Sequence, residues 1–117
     1  MWLGLTLEGV SIVDFFRSNH LHDIAVYGYG KVGKLLCREI KKCDDINLVA
    51  VIDKNYGDKE DGITVISPDA SIPKHEILIC AYTDVNYVRN KLVGKSDNIV
   101  GFDELLKGFG YGNKHVG

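Results

Sequence analysis

A dominant charge, a cysteine framework and a membrane-length apolar run are all missing from this sequence, and each absence removes a class of function. The 14 Lys and Arg stand against 16 Asp and Glu, a formal net charge of -2, which offers no phosphate-backbone surface for nucleic acid. The densest basic group, Lys41-Lys42, falls where a helix ends and complements its dipole there. The 3 cysteines, Cys37, Cys43 and Cys80, are odd in number and lack a CxxC spacing. Cys37 and Cys80 lie within apolar runs as small core residues, and a reducing cytoplasm is the expected compartment. The stretch from Trp2 to Phe16 looks apolar, but Glu8 and Asp14 interrupt it and no positive n-region precedes it. Neither a signal peptide nor a membrane anchor is expected.

At 117 residues the chain has room for one domain, 1–117, with no internal repeat or interdomain linker. It is too short for a nucleotide domain plus a substrate domain, which is where dinucleotide-dependent oxidoreductases usually carry their proton-transferring residues.

What is present is more specific. Ile24-Ala25-Val26-Tyr27 is an apolar strand that runs into Gly28-x-Gly30-x-x-Gly33, and Asp53 closes the next apolar run, Ile46 to Ile52. This is the fingerprint of a dinucleotide-binding βαβ unit. Gly28 lets the chain turn off the strand, Gly30 lets the backbone approach a pyrophosphate, and Gly33 lets the helix pack on the strands. The amides of Tyr29, Gly30, Lys31 and Val32 are expected to face the phosphates at the helix N-terminus. Asp53 accepts hydrogen bonds from ribose hydroxyls and repels a 2′-phosphate, which favours NAD over NADP, while Lys54 offsets part of that charge. CoA and a nucleotide sugar are the other candidates, since both present a pyrophosphate.

The apolar periodicity predicts a short N-terminal helix, opened by Ser11-x-x-Asp14 and forming an arm over residues 1–22 that covers its own sheet or a neighbouring subunit. A helix is predicted over Lys31–Lys42 with Val32, Leu35, Leu36 and Ile40 inward. Leu48-Val49-Ala50-Val51-Ile52 suits a parallel strand covered on both faces. A polar loop over 55–62 precedes a short strand, Ile63–Ile66, and a turn or distorted helix over 69–76 leads to a strand, Ile77–Cys80. A helix over Asp84–Val93, a strand over Asn98–Val100, a helix over Phe102–Lys107 and a flexible tail, 108–117, complete the chain. The expected fold is α/β, a three-layer Rossmann-like fold with a short, mostly parallel sheet.

Ala81 and Tyr82 follow the fourth strand at the carboxyl end of the sheet, where ligands of open α/β folds bind; Thr83 or Asp84 is expected to cap the next helix. Tyr87-x-x-x-Lys91 copies a phenol–ammonium spacing used for proton transfer, but it sits on the wrong helix for that role and is read as coincidence. His20 and His22 read as loop residues, and Asp44-Asp45 and the Asp58 to Asp61 cluster as solvated turns. No Ser/His/Asp or Cys/His arrangement follows from spacing, so no catalytic or metal-ligating residue is assigned.

With these residues placed, the chain resembles, over nearly its whole length, the small Rossmann-like domain of bacterial surface-polysaccharide and sugar-nucleotide proteins. Such domains are appended to glycosyltransferases or methyltransferases, or stand before an epimerase/dehydratase core. The likeness rests on Gly9-Val10-Ser11-Ile12-Val13-Asp14-Phe15-Phe16, on Ile24 to Gly33, on Val51-Ile52-Asp53-Lys54, on Ile72-Pro73-Lys74-His75-Glu76-Ile77-Leu78-Ile79 and on Phe102-Asp103-Glu104-Leu105-Leu106. The resemblance implies a nucleotide-binding module, non-catalytic alone, whose site carries over to Gly28, Gly30, Gly33 and Asp53. Its expected partners are the nucleotide, a catalytic chain and a second copy met through the N-terminal arm, with neither nucleic acid nor membrane. The alternatives are a subunit or fragment of an NAD-dependent oxidoreductase or sugar-nucleotide enzyme, and an interaction domain that keeps the scaffold without a ligand.

Overall fold

Short, almost uninterrupted apolar runs become the central sheet, because a strand covered on both faces has no polar side to show. The computed structural model describes residues 6–7, 10–59, 62–82 and 84–104. In chain order its elements are β1 (Thr6–Leu7), β2 (Val10–Ser11), α1 (Ile12–Ser18), β3 (Asp23–Tyr27), α2 (Lys31–Lys41) and β4 (Asn47–Ile52). They continue with β5 (Gly57–Asp58), β6 (Thr64–Val65), β7 (Ile77–Cys80), α3 (Val85–Lys91) and β8 (Ile99–Gly101). The main sheet has the order β4-β3-β7-β8, and every pairing in it is parallel.

Side chains alternate across this sheet with the strand period of two. Ile24, Val26, Val51, Ile77 and Ile79 pack on one face against Ile12, Val13 and Phe16 of α1 and Leu36, Cys37 and Ile40 of α2. Ala25, Tyr27, Ala50, Ile52, Leu78 and Cys80 pack on the other against Val88 of α3 and Leu92. Helices thus cover both faces. No polar or charged side chain is buried among the described residues, and no helix there is long and apolar enough to cross a membrane.

The N-terminal segment differs from the expectation of helix alone, since β1 and β2 form a two-residue antiparallel pair before α1. The surface that α1 covers is the chain's own sheet, with Ile12 and Phe16 fully buried and Val13 nearly so. His20 closes this helix with φ 56; Leu21 N donates to Phe16 O at 2.8 Å and His20 N to Arg17 O at 3.1 Å, the two bonds of a Schellman end. His20 therefore has a backbone role. Among the described residues no group of His, Cys, Asp and Glu is placed to hold a metal.

Two further differences concern the middle of the chain. The loop expected over 55–62 contains β5, which pairs antiparallel with β6, so the short strand predicted over 63–66 belongs mainly to a small hairpin rather than to the main sheet. Only its last residue reaches the sheet: Ile66 bridges Ile52 in parallel, with Ile66 N donating to Val51 O at 2.8 Å and Asp53 N to Ile66 O at 3.1 Å. Asp45 is not a merely solvated turn residue, because Arg17 donates to both its oxygens at 2.9 and 3.1 Å. The stretch 69–76 is a turn and coil as expected, and Ala70 N closes the turn on Ser67 O at 3.0 Å. Residues 102–104 are helical; the rest of the helix predicted to Lys107 and the tail 108–117 lie outside the described residues.

The segments leading into β3 and β7 are joined by Glu76, whose Oε1 accepts from the backbone amides of His22 and, at 3.0 Å, Asp23. Those two bonds hold its carboxyl below the usual range. A carboxyl depressed in the folded state stabilises the fold above its unfolded pKa and loses that contribution as pH falls through the folded value. Glu76→Gln is therefore expected to be less stable than wild type above about pH 5 and to converge with it in stronger acid. Urea unfolding midpoints measured from neutral pH into acid check this; parallel curves would count against it.

Candidate functional site at the glycine loop

The turn from β3 into α2 is built by three glycines that serve three different physical needs. Gly28 has φ +100, a left-handed conformation that side chains resist. A Cβ there would also lie 3.3 Å from Tyr82 N and 3.4 Å from the Ala81 carbonyl carbon. Gly33 sits on the first turns of α2 directly over this loop, and a Cβ on it would fall 1.8 Å from Gly28 O. Gly30 is different. Among the described residues nothing lies within 4 Å of its Cβ position, and its φ of -91 suits any residue. The fold requires glycine at 28 and 33; at 30 it leaves space in front of the helix.

That space faces the N-terminus of an 11-residue helix whose N-cap, Gly30, makes no side-chain capping bond and whose first turn carries no acid. The first intrahelical bond is Lys34 N to Gly30 O at 2.9 Å, so the amides of Lys31, Val32 and Gly33 precede it and lack an intrahelical acceptor. The macrodipole favours an anion at the same point. Lys31 is exposed beside it and Val32 half-buried.

Asp53 is brought to the loop as expected, but its role is partly different. Tyr29 N donates to Asp53 Oδ2 at 2.6 Å and Asn55 N donates to Asp53 Oδ1 at 2.9 Å. The Tyr29 amide is thus turned to the carboxylate rather than toward a phosphate, a correction to the expected donor set. Each oxygen keeps a further lone pair for a hydroxyl. The Tyr29 ring is buried in the core with Lys34 Nζ 5.5 Å from its centroid, so this residue offers no stacking face. Gly28 N donates to Ile52 O at 2.7 Å, and the loop, β4 and α2 are locked together. Lys54 follows Asp53 on the exposed surface.

Ala81 and Tyr82 adjoin Gly28, with Ala81 N bonded to Tyr27 O at 2.8 Å. Tyr82 is 45% exposed and meets Tyr27 edge-on at 6.4 Å between ring centroids and Tyr87 at 6.0 Å. Three tyrosines thus form an aromatic wall beside the loop, and a planar base can stack on its exposed members. Sequence reading found Tyr82 but not Tyr27 or Tyr87 in this role; the signal was the alternation that sends Tyr27 to the same face as α3. Burial pushes the Tyr27 phenol up, helped by Tyr87 and Asp53. Lys91 is not paired with Tyr87, since its Nζ lies 3.3 Å from Asp69 Oδ1. Asp84 caps α3 by accepting from Tyr87 N at 3.1 Å; Thr83 lies outside the described residues.

A cavity of about 250 Å³ opens at the carboxyl ends of β7 and β8, lined by Val32, Ala81, Tyr82, Gly101 and Phe102 among others. It shares three residues with the glycine-loop site. A larger trough of about 360 Å³ runs along the outer side of β4 and Gly62–Thr64, where no residue of the glycine motif lines it. Cys80 borders the smaller cavity, but burial pushes its thiol up, which keeps it protonated and a poor nucleophile. Comparison with protein-family models, with curated proteins and with solved structures finds no significant match to this chain.

Proposed function

We propose that the chain is an NAD-type dinucleotide-binding module with a three-layer Rossmann-like fold, serving bacterial sugar-nucleotide or surface-polysaccharide metabolism and non-catalytic at its glycine-loop site. The observation that carries this reading is Gly30: packing and backbone geometry account for Gly28 and Gly33, whereas at Gly30, the N-cap of α2, the Cβ position is open, which leaves room for the close backbone approach that a pyrophosphate needs. The strand order supports it. With Ile66 beside Ile52 the sheet reads 3-2-1-4-5 in order of parallel strands, and the crevice between β3 and β7 is the switch point where such sheets bind ligands.

In that crevice the amides at the start of α2 would hold a pyrophosphate, Asp53 the adenosine ribose, and Tyr82 the base. The nicotinamide supplies hydride chemistry when bound to a catalytic partner. The metabolic assignment rests on the resemblance of the sequence to polysaccharide-associated modules. A homo-oligomer through the N-terminal arm would have to use residues other than Ile12, Val13 and Phe16, which the chain's own core consumes.

Gly30→Asp separates the ligand from the fold. Aspartate is a favoured N-cap, so the variant should melt no lower than wild type while its carboxylate occupies the amides and repels phosphate. Calorimetric titration with NAD, NADP, CoA and UDP-sugars is expected to give NAD binding that Gly30→Asp abolishes. Preference for another of these ligands would reassign the nucleotide, and binding of none would overturn the proposal.

A further inference from the structure

At the amino ends of β7 and β8, away from the glycine loop, a second constellation is assembled from residues 21 positions apart in the chain. His75 Nε2 lies 2.7 Å from Ser96 Oγ, and His75 Nδ1 lies 2.8 Å from Pro73 O. A carbonyl oxygen can only accept, so Nδ1 carries the ring proton and donates it to Pro73. In the neutral imidazole Nε2 then holds a lone pair, and the Ser96 hydroxyl donates to it. This is the arrangement by which a hydroxyl is activated as a nucleophile: a base within hydrogen-bond reach, itself oriented by a third group.

The pair is held by backbone on both sides. Leu78 N donates to Asn98 O at 2.9 Å, and Ser96 N and Lys95 N donate to Leu92 O at 3.2 and 2.8 Å. Asn98 Nδ2 donates to Glu76 O at 3.0 Å, and Lys95 Nζ donates to Pro68 O and Ala70 O at 3.0 and 3.3 Å. These contacts already join the segment before β7 to the segment before β8, so the His75–Ser96 bond is surplus to that connection. Both residues are half-buried, and both line a cavity of about 260 Å³ together with Ile72, Pro73, Lys74 and Asp97.

We propose that Ser96 and His75 are the nucleophile and general base of an acyl-transfer site that cleaves small, activated carboxylic esters. Ser96 Oγ attacks the ester carbonyl as its proton passes to His75 Nε2, forming the Oγ–C bond. The tetrahedral intermediate collapses by breaking the C–O bond to the leaving alcohol, which takes the proton from Nε2. Water then attacks the acyl-serine, giving its proton to Nε2; the carboxylic acid departs and the proton returns to Ser96 Oγ. Lys74 lines the same open cavity and is assigned to balance the charge of the oxyanion. The site shares no residue with the glycine loop, so its success or failure is independent of nucleotide binding.

The test uses the full chain with a fluorophosphonate, followed by peptide mapping, and with p-nitrophenyl acetate. A base-activated serine displaces fluoride from phosphorus to form a stable Oγ–P bond. The expected result is one adduct on Ser96 of the wild-type protein, lost in His75→Gln although the serine remains, with p-nitrophenolate release lowered by roughly 100-fold or more in His75→Gln and Ser96→Ala. Absence of an adduct on Ser96 in folded wild-type protein would overturn the proposal, as would equal labelling in His75→Gln. Because the adduct is sought on the wild-type chain, that outcome holds even where a variant fails to fold.

Discussion

Gly33→Ala is expected to destabilise the fold by about 3 kcal/mol, the upper part of the range for forcing extra atoms into packed structure. Helix propensity alone predicts the opposite, since alanine is better than glycine in a helix interior by about 1 kcal/mol. Steric overlap outweighs propensity because the new Cβ would lie 1.8 Å from Gly28 O and 2.8 Å from Gly28 C, and backbone cannot rotate aside as a side chain can. Gly28 in turn is fixed by its bond to Ile52 O at 2.7 Å and its approach to Ala81 and Tyr82, so α2 must lift from the sheet. Gly30→Ala is the control, expected to change stability by less than about 1 kcal/mol because its Cβ meets open space and only the N-cap preference is lost. Chemical denaturation of the two variants measures the contrast. A Gly33→Ala protein as stable as wild type would show that the close approach of helix and loop is absent.

Phe16→Ala is expected to cost about 3–5 kcal/mol, the range for removing a fully buried aromatic ring. Phe16 is 0% exposed and packs in the same cluster as Ile24, Val26 and Ile40, so deletion leaves a cavity between α1 and the sheet. The measurement also decides what the N-terminal helix does. If α1 covers the chain's own sheet, the denaturation midpoint falls by the same amount at every protein concentration. If the helix belonged to a subunit interface, the loss would depend on protein concentration and shrink on dilution as the wild type itself dissociates, because mass action couples association to stability. A concentration-independent drop is the expected outcome.

The elements named from periodicity were legible because their determinants are local. The apolar runs Ile24 to Tyr27 and Ile77 to Cys80, each opened by an acidic residue, make β3 and β7, and the 3.6-residue spacing of Leu36 and Ile40 makes the inner face of α2. The glycine motif was legible for a related reason: turning off a strand and packing a helix against it impose steric demands within six residues. Asp53 reached the loop as its position after β4 implied. The sequence did not reveal that its carboxylate would take the Tyr29 amide, since that depends on the β3–β4 register.

The sequence by itself determined the strands and helices of the sheet, the loop that joins β3 to α2, and the lack of a charged or disulfide framework, all of which follow from nearest neighbours along the chain. Tertiary structure alone decided which glycine the fold can spare, that Ile66 rather than the whole of 63–66 joins the sheet, that Tyr27, Tyr82 and Tyr87 share one wall, and that Ser96 meets His75. These are non-local contacts. They exist because parallel pairing of β7 with β3 and β8 brings distant segments to the same end of the sheet, and no spacing along the chain encodes that register.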